Sequence, residues 1–189
     1  MEPYGNEDLS YLGSMAEPNA NSSNRDPAFM VDGHSPEHIY WYCDAAGNCI
    51  GACARYAPGT LCEKKTFRQF RAIATSVGDK FIPGLDGMAL PIYRFDEITS
   101  DAERELFIVE GEKDVDLLMD AGLLATTSPM GAGKWTAEHT ATIAGRTVFV
   151  IPDNDAPGHS HAEHVASVLT EAGCKVKVVD LPEWEGKTE

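Results

Sequence analysis

Positive charge is scarce in this chain. Its 189 residues carry 15 Lys and Arg against 30 Asp and Glu, a formal net charge of −15. Gripping a nucleic-acid backbone rests on neutralising phosphates with Lys and Arg, so this balance argues against a strong stand-alone nucleic-acid binder. Long apolar runs are missing as well. None approaches membrane-spanning length, and no charged-then-apolar signal segment opens the chain, so the expected compartment is cytoplasmic, with no membrane partner. A disulfide framework is also lacking. Cys43, Cys49, Cys53, Cys62 and Cys174 make an odd number, read most simply as free thiols. The first four do not form two Cys-x₂₋₄-Cys pairs, and Cys49-x₃-Cys53 is half a site at best, so zinc is not expected.

What is present allows one ordinary domain and a small second one, with a normal apolar fraction. Residues 1–37 hold one Arg against seven acids, with Asn, Ser, Pro and Gly among them, and read as a disordered acidic tail. Tyr11-Leu12 and Phe29-Met30 are its only docking candidates. Residues 38–103 read as a small β-rich subdomain. Ile39 to Cys43 and Cys49 to Tyr56 form a hairpin around Asp44-Ala-Ala-Gly-Asn48. Then comes Lys64-Lys-Thr-Phe-Arg-Gln-Phe-Arg71, four positive charges interleaved with two phenylalanines. This is either a strand lying along a nucleic-acid backbone with aromatics for stacking, or a solvated amphipathic strand. Residues 78–91 read as a loop, 92–98 as a short strand and turn, and Thr99 to Arg104 as the boundary.

From residue 104 to 184 strands alternate with helices, which implies a parallel sheet covered on both faces. Leu106 to Val109 is a buried strand ending in Glu110-Gly111, with a helix from about Lys113. Thr147 to Ile151 is another, ending in Pro152-Asp153-Asn154-Asp155-Ala-Pro-Gly158, before a helix to about Ala172. Ligands of open parallel sheets bind at the strands' carboxyl edge, where Glu110, Asp153 and Asp155 would gather. Mg²⁺ suits such hard oxygen donors. Taken singly, the aspartates could equally cap the next helix. His159, His161 and His164 fit an exposed helix face better than a metal site. Gly131-Ala-Gly133-Lys134 is not a nucleotide-binding P-loop, which would need glycine at Ser128 and Ser or Thr at Trp135.

Glu110-Gly111-Glu-Lys-Asp114 with Asp153-Asn-Asp155-Ala-Pro-Gly158 resembles the TOPRIM domain of primases, topoisomerases and certain nucleases. The resemblance implies a TOPRIM-like Rossmannoid α/β fold with flanking helices. The basic stretch, Tyr93-Arg94 and the Gly131–Trp135 loop look like primases of phages, plasmids and other mobile elements. What this implies is a Mg²⁺- or Mn²⁺-dependent nucleotidyltransferase that makes RNA primers in DNA replication. Glu110, Asp153 and Asp155 would be catalytic, with Asp114 joining them at the metal. Lys64, Lys65, Arg68, Arg71, Lys113 and Lys134 would hold nucleic acid or nucleotide. The implied partners are single-stranded DNA, nucleoside triphosphates and a replicative helicase or other replication protein. A metal-dependent nuclease and a non-catalytic nucleic-acid- or partner-binding module are the alternatives. Complete primases of this kind add a zinc-binding domain and a later acidic cluster. Gly186-Lys-Thr-Glu189 does not supply that cluster, so a fragment or a partner-dependent subunit is expected.

Overall fold

The computed structural model describes residues 27–76 and 78–180. The expectations for Tyr11-Leu12 and for Gly186 to Glu189 lie outside the described residues. Four strands form an antiparallel meander in chain order: β1 (His38–Cys43), β2 (Cys49–Tyr56), β3 (Thr66–Thr75) and β4 (Gly78–Pro83). The turn between β1 and β2 is closed by the Asp44 carboxylate, which accepts the N–H groups of Ala46 and Asn48, each at 2.9 Å. β2 is rich in small residues because it is covered closely. A Cβ on Gly51 would stand 2.6 Å from Leu90 Cδ2.

The strands alternate their side chains between two covers. Ile39, Ala52, Ala54 and Phe70 face one core with Phe29 at its centre. Tyr40, Tyr42 and Cys53 face the other, shared with Leu90, Tyr93, Val109 and Val115. Phe29, in a 3₁₀ turn at Pro27–Phe29, is fully buried against Trp41, Phe70 and Phe81. Its carbonyl accepts the Tyr56 hydroxyl at 2.6 Å. Residues 27–37 therefore differ from the structureless tail expected through residue 37: one aromatic plug supplies the burial that composition alone did not promise.

Two further expectations are corrected. The stretch 78–91 is not all loop, since β4 occupies its first part, paired from Arg71↔Ile82 to Thr75↔Gly78. Its Gly and Pro punctuate the ends of an edge strand, where a missing donor costs little. The stretch 92–98 is not a strand and turn. Arg94 adopts φ 61° and starts α1 (Phe95–Ser100), whose Ile98 is fully buried. Tyr93 nevertheless donates its N–H to Thr127 O at 2.9 Å, so the chain runs strand-like for one bond.

The second sheet is parallel, in the order β6-β5-β7-β8, from β5 (Leu106–Ile108), β6 (Ala125–Thr126), β7 (Thr147–Val150) and β8 (Lys175–Val178). The connections are α2 (Glu112–Asp120), α3 (Ala137–Thr142) and α4 (Ala156–Glu171). Leu106, Ile108, Val148 and Val150 pack with Ile98, Ile143, Val165 and Leu169 in one core. Val109 and Val115 pack instead with the antiparallel sheet. Thr99 to Arg104 is thus no gap between independent bodies: α1 overlaps it, and a common core joins the two sheets. Among the described residues no helix is long and apolar enough to cross a membrane.

Candidate active site

Both sheets contribute walls to one cleft of about 940 Å³. The parallel sheet supplies Glu110, Gly111, Glu112, Asp114 and Asp153. The antiparallel sheet supplies Lys65, Phe67, Arg68 and Gln69, and Met30, Val31, Met130 and Gly131 line it as well. Glu110 stands just past the carboxyl end of β5, and Gly111 is the N-cap residue of α2 in extended conformation. The backbone of Glu110 is tied to the β6 end, where Thr127 Oγ1 donates to Glu110 O at 2.9 Å.

The next strand end is held by close packing. A Cβ on Gly158 would lie 2.6 Å from Asp153 O, so only glycine lets α4 start this near the turn. Asp155 N–H donates back to Asp153 O at 2.8 Å. The two aspartates thus sit in a tight turn rather than an extended segment. Asp153 lines the cleft. Asp155 does not; it is the N-cap of α4, accepting Gly158 N–H at 2.7 Å. Its charge still reaches Glu110.

Burial, then the charges of Asp153, Asp155 and Asp114, holds Glu110 above its ordinary carboxylate value, with Lys65 opposing. Asp114 is raised by burial and by Asp153, with Lys113 and Lys65 opposing. One oxygen of Glu110, Oε2, is inaccessible to solvent and has no hydrogen-bond partner among the described residues. Crowded carboxylates with an orphaned buried oxygen fit a divalent cation, whose charge would offset what now raises these groups. No three His, Cys, Asp or Glu among the described residues already stand in metal-binding geometry. Mg²⁺ asks for less, because it keeps several waters and takes one or two carboxylates plus phosphate.

The basic stretch divides by strand alternation. Lys65, Phe67 and Gln69 share the face of Cys53, whose register partner is Gln69, toward the acids. Phe67 is 41% exposed and Phe70 fully buried, so the two phenylalanines answer to the two readings of this stretch. Arg68 reaches the rim from the opposite face. Arg71 is committed elsewhere: it donates to Gly84 O at 2.9 Å and pairs with Asp86 at 3.1 Å, fastening β3 to the loop after β4. Lys64 and Lys134 are exposed and outside the cleft lining, as is Lys113, which acts on Asp114 only through its charge.

Reasoning from sequence passed over Glu112 and gave His161 only an exposed helix face. Glu112 is buried and accepts the hydroxyl of the fully buried Tyr42 at 2.8 Å, joining β1 to the start of α2 beneath the cleft. Burial and the Glu112 charge keep the Tyr42 phenol well above its usual value, so it remains a donor. The signal was the middle acid of Glu110-Gly-Glu112-Lys-Asp114, but no spacing rule links positions 42 and 112. His161 is half-buried rather than on an open face. Its Nδ1 accepts Gly133 N–H at 3.0 Å, steadying the loop that brings Met130 and Gly131 to the cleft. Tyr93 and Arg94 converge on Asp116 at 3.1 Å and 2.6 Å, a second tie across the shared core.

Residues 107–187 match the family described as Toprim-like. Among solved structures the chain resembles the E. coli primase catalytic core, with TM-score 0.56 and 22% identity over 78% of this chain and 45% of that one. It also resembles the zinc-binding and RNA polymerase domains of Aquifex aeolicus primase, at TM-score 0.54 and 18% identity over 77% and 34%. A third likeness is to the DnaG primase catalytic domain bound to ssDNA, at TM-score 0.54 and 21% identity over 78% and 45%. At these identities the likeness is one of fold, and the chain spans less than half of each structure. No curated protein sequence matches it.

Proposed function

We propose that the TOPRIM domain of this chain, with the antiparallel sheet fastened to it, forms the nucleotidyltransferase centre of a primase-like protein that makes RNA primers on single-stranded DNA. The observation that carries the reading is the composite cleft: three acids at the carboxyl edge of a parallel sheet face a basic, aromatic-bearing strand of the other sheet. The reaction joins a 3′-hydroxyl to the α-phosphorus of a nucleoside triphosphate and releases pyrophosphate. A bound Mg²⁺ or Mn²⁺ would supply counter-charge to the phosphates, with Glu110, Asp114 and Asp153 as its protein donors. Glu110, whose Oε2 has no hydrogen-bond partner among the described residues, would accept the proton of the attacking hydroxyl. Lys65 and Arg68 hold template phosphates, and Phe67 offers its exposed ring to a base. Asp155 holds the Asp153 turn in place. The proposed setting is replication of a mobile element, phage or plasmid.

The test is primer synthesis on single-stranded DNA with labelled ribonucleotides and Mg²⁺ or Mn²⁺. Product from the wild type that disappears in Asp153→Asn supports the reading. Metal-dependent loss of the DNA without product would point to a nuclease. DNA binding unaffected by the substitution, with neither reaction, would point to a binding module, which the partial span of the primase structures favours.

A further inference from the structure

At the end of the β1–β2 hairpin stand two thiols that play no part in the cleft. Cys43 closes β1, Cys49 opens β2, and the two are direct register partners. Their Sγ atoms are 3.2 Å apart. Cross-strand partners hold their Cα atoms about 4.5–5.5 Å apart, inside the span of a disulfide. The turn between them is already closed by Asp44 N–H to Asn48 O at 2.9 Å and by the Asp44 carboxylate on Ala46 and Asn48. Bond formation therefore asks for side-chain rotation and no new chain closure.

The two sulfurs are not equivalent. Cys43 is buried and Cys49 is partly exposed, so a reagent reaches Cys49 first. Hydrogen bonding from Cys43 holds the Cys49 thiol below its ordinary value and raises that of Cys43, which suits Cys49 as the first nucleophile. The other cysteines are engaged elsewhere. Cys53 is buried beside Glu112, Cys174 donates to Ile143 O, and Cys62 donates to Lys64 O.

We propose that Cys43 and Cys49 form a dithiol site that small-molecule disulfides of the glutathione type oxidise to an intramolecular disulfide. The Cys49 thiolate attacks one sulfur of the reagent, its S–S bond breaks, and the first thiolate leaves with a mixed disulfide on Cys49. Cys43 then loses its proton to solvent and attacks Cys49 Sγ, expelling the second thiolate. Two protein thiols and one disulfide become one protein disulfide and two small thiols, with electrons balanced. The proposal stands independently of the primase reading.

The test uses the full chain, first reduced, then held with EDTA in an excess of glutathione disulfide, denatured and alkylated with N-ethylmaleimide. Trypsin releases residues 26–55, which contain Cys43, Cys49 and Cys53. The expected peptide takes one label instead of three and is otherwise about 2 Da lighter, a mass restored by dithiothreitol. Cys53→Ser should still lose two labels; Cys43→Ser and Cys49→Ser should not. Oxidation in urea should lose the preference for this pair, since the fold selects it. Three labels on the wild-type peptide, or a bond that disappears in Cys53→Ser, would overturn the proposal.

Discussion

In the antiparallel sheet, Lys65 just before β3 and Phe67 and Arg68 within it are exposed along the cleft. In the parallel sheet, β5 and β7 contain no charged residue, and the acids of the cleft stand beyond their carboxyl ends. The first arrangement sets side chains out in a row along one strand. The second gathers a few groups from separated sequence positions at one point. The basic, aromatic row and the cluster of acids thus come from two kinds of sheet, joined by the Tyr42–Glu112 tie.

The sharpest way to break this comparison lies within β3. Phe70→Ala should cost about 3–5 kcal/mol of stability, since it empties the core around Phe29. Phe67→Ala should leave the melting midpoint nearly unchanged and weaken single-stranded DNA binding by about 1–3 kcal/mol. Denaturant melts and fluorescence anisotropy on both variants decide it, and equal destabilisation would erase the division of faces.

Next in size is the parallel edge. Glu110→Gln should lower primer synthesis by on the order of 10²-fold or more while DNA affinity stays within about twofold. A matching loss of affinity would mean that the acids and the basic strand do not act separately.

A smaller effect is expected along the basic row. Lys65→Ala and Arg68→Ala should each reduce the salt slope of DNA binding by about 0.7. Arg71→Ala, whose guanidinium is held by Asp86 and Gly84 O, should leave that slope alone and cost less than about 1 kcal/mol. Titrations of affinity against salt separate the three.

The last test concerns pH. Glu110 and Asp114 are raised in the folded chain, so between the unfolded value and the folded one the native state holds more protons. Without cation, stability should therefore fall as pH rises through that window and stay lower above it. Mg²⁺ should offset this, raising the melting temperature more at pH 8 than at pH 5. A Mg²⁺ shift independent of pH would separate the cation from these acids.

How much of this was legible beforehand follows the same division. β5, α2, β7 and α4 were readable because buried parallel strands form short apolar runs and their helices carry a 3.6-residue period. β4 and α1 were misread because Gly, Pro and Arg94 look like loop chemistry until a neighbouring strand or a buried Ile98 selects otherwise. The cap weighed for the aspartates is seen at Asp155, and Arg71 has a fastening contact that no local pattern announced. The contacts of Glu112 and His161 went unread because their partners lie 70 and 28 positions away.

By itself, then, the amino-acid sequence determined the alternation of strands and helices after residue 104 and the placing of Glu110 and Asp153 at strand ends, because periodicity and turn chemistry are local. Only the tertiary structure decided that Phe29 plugs the first sheet and that Lys65 faces the acids. It likewise decided that Tyr42 reaches Glu112 and that Arg94 reaches Asp116. Those outcomes depend on which faces meet across long stretches of chain, and no local pattern encodes which surface a strand will find buried.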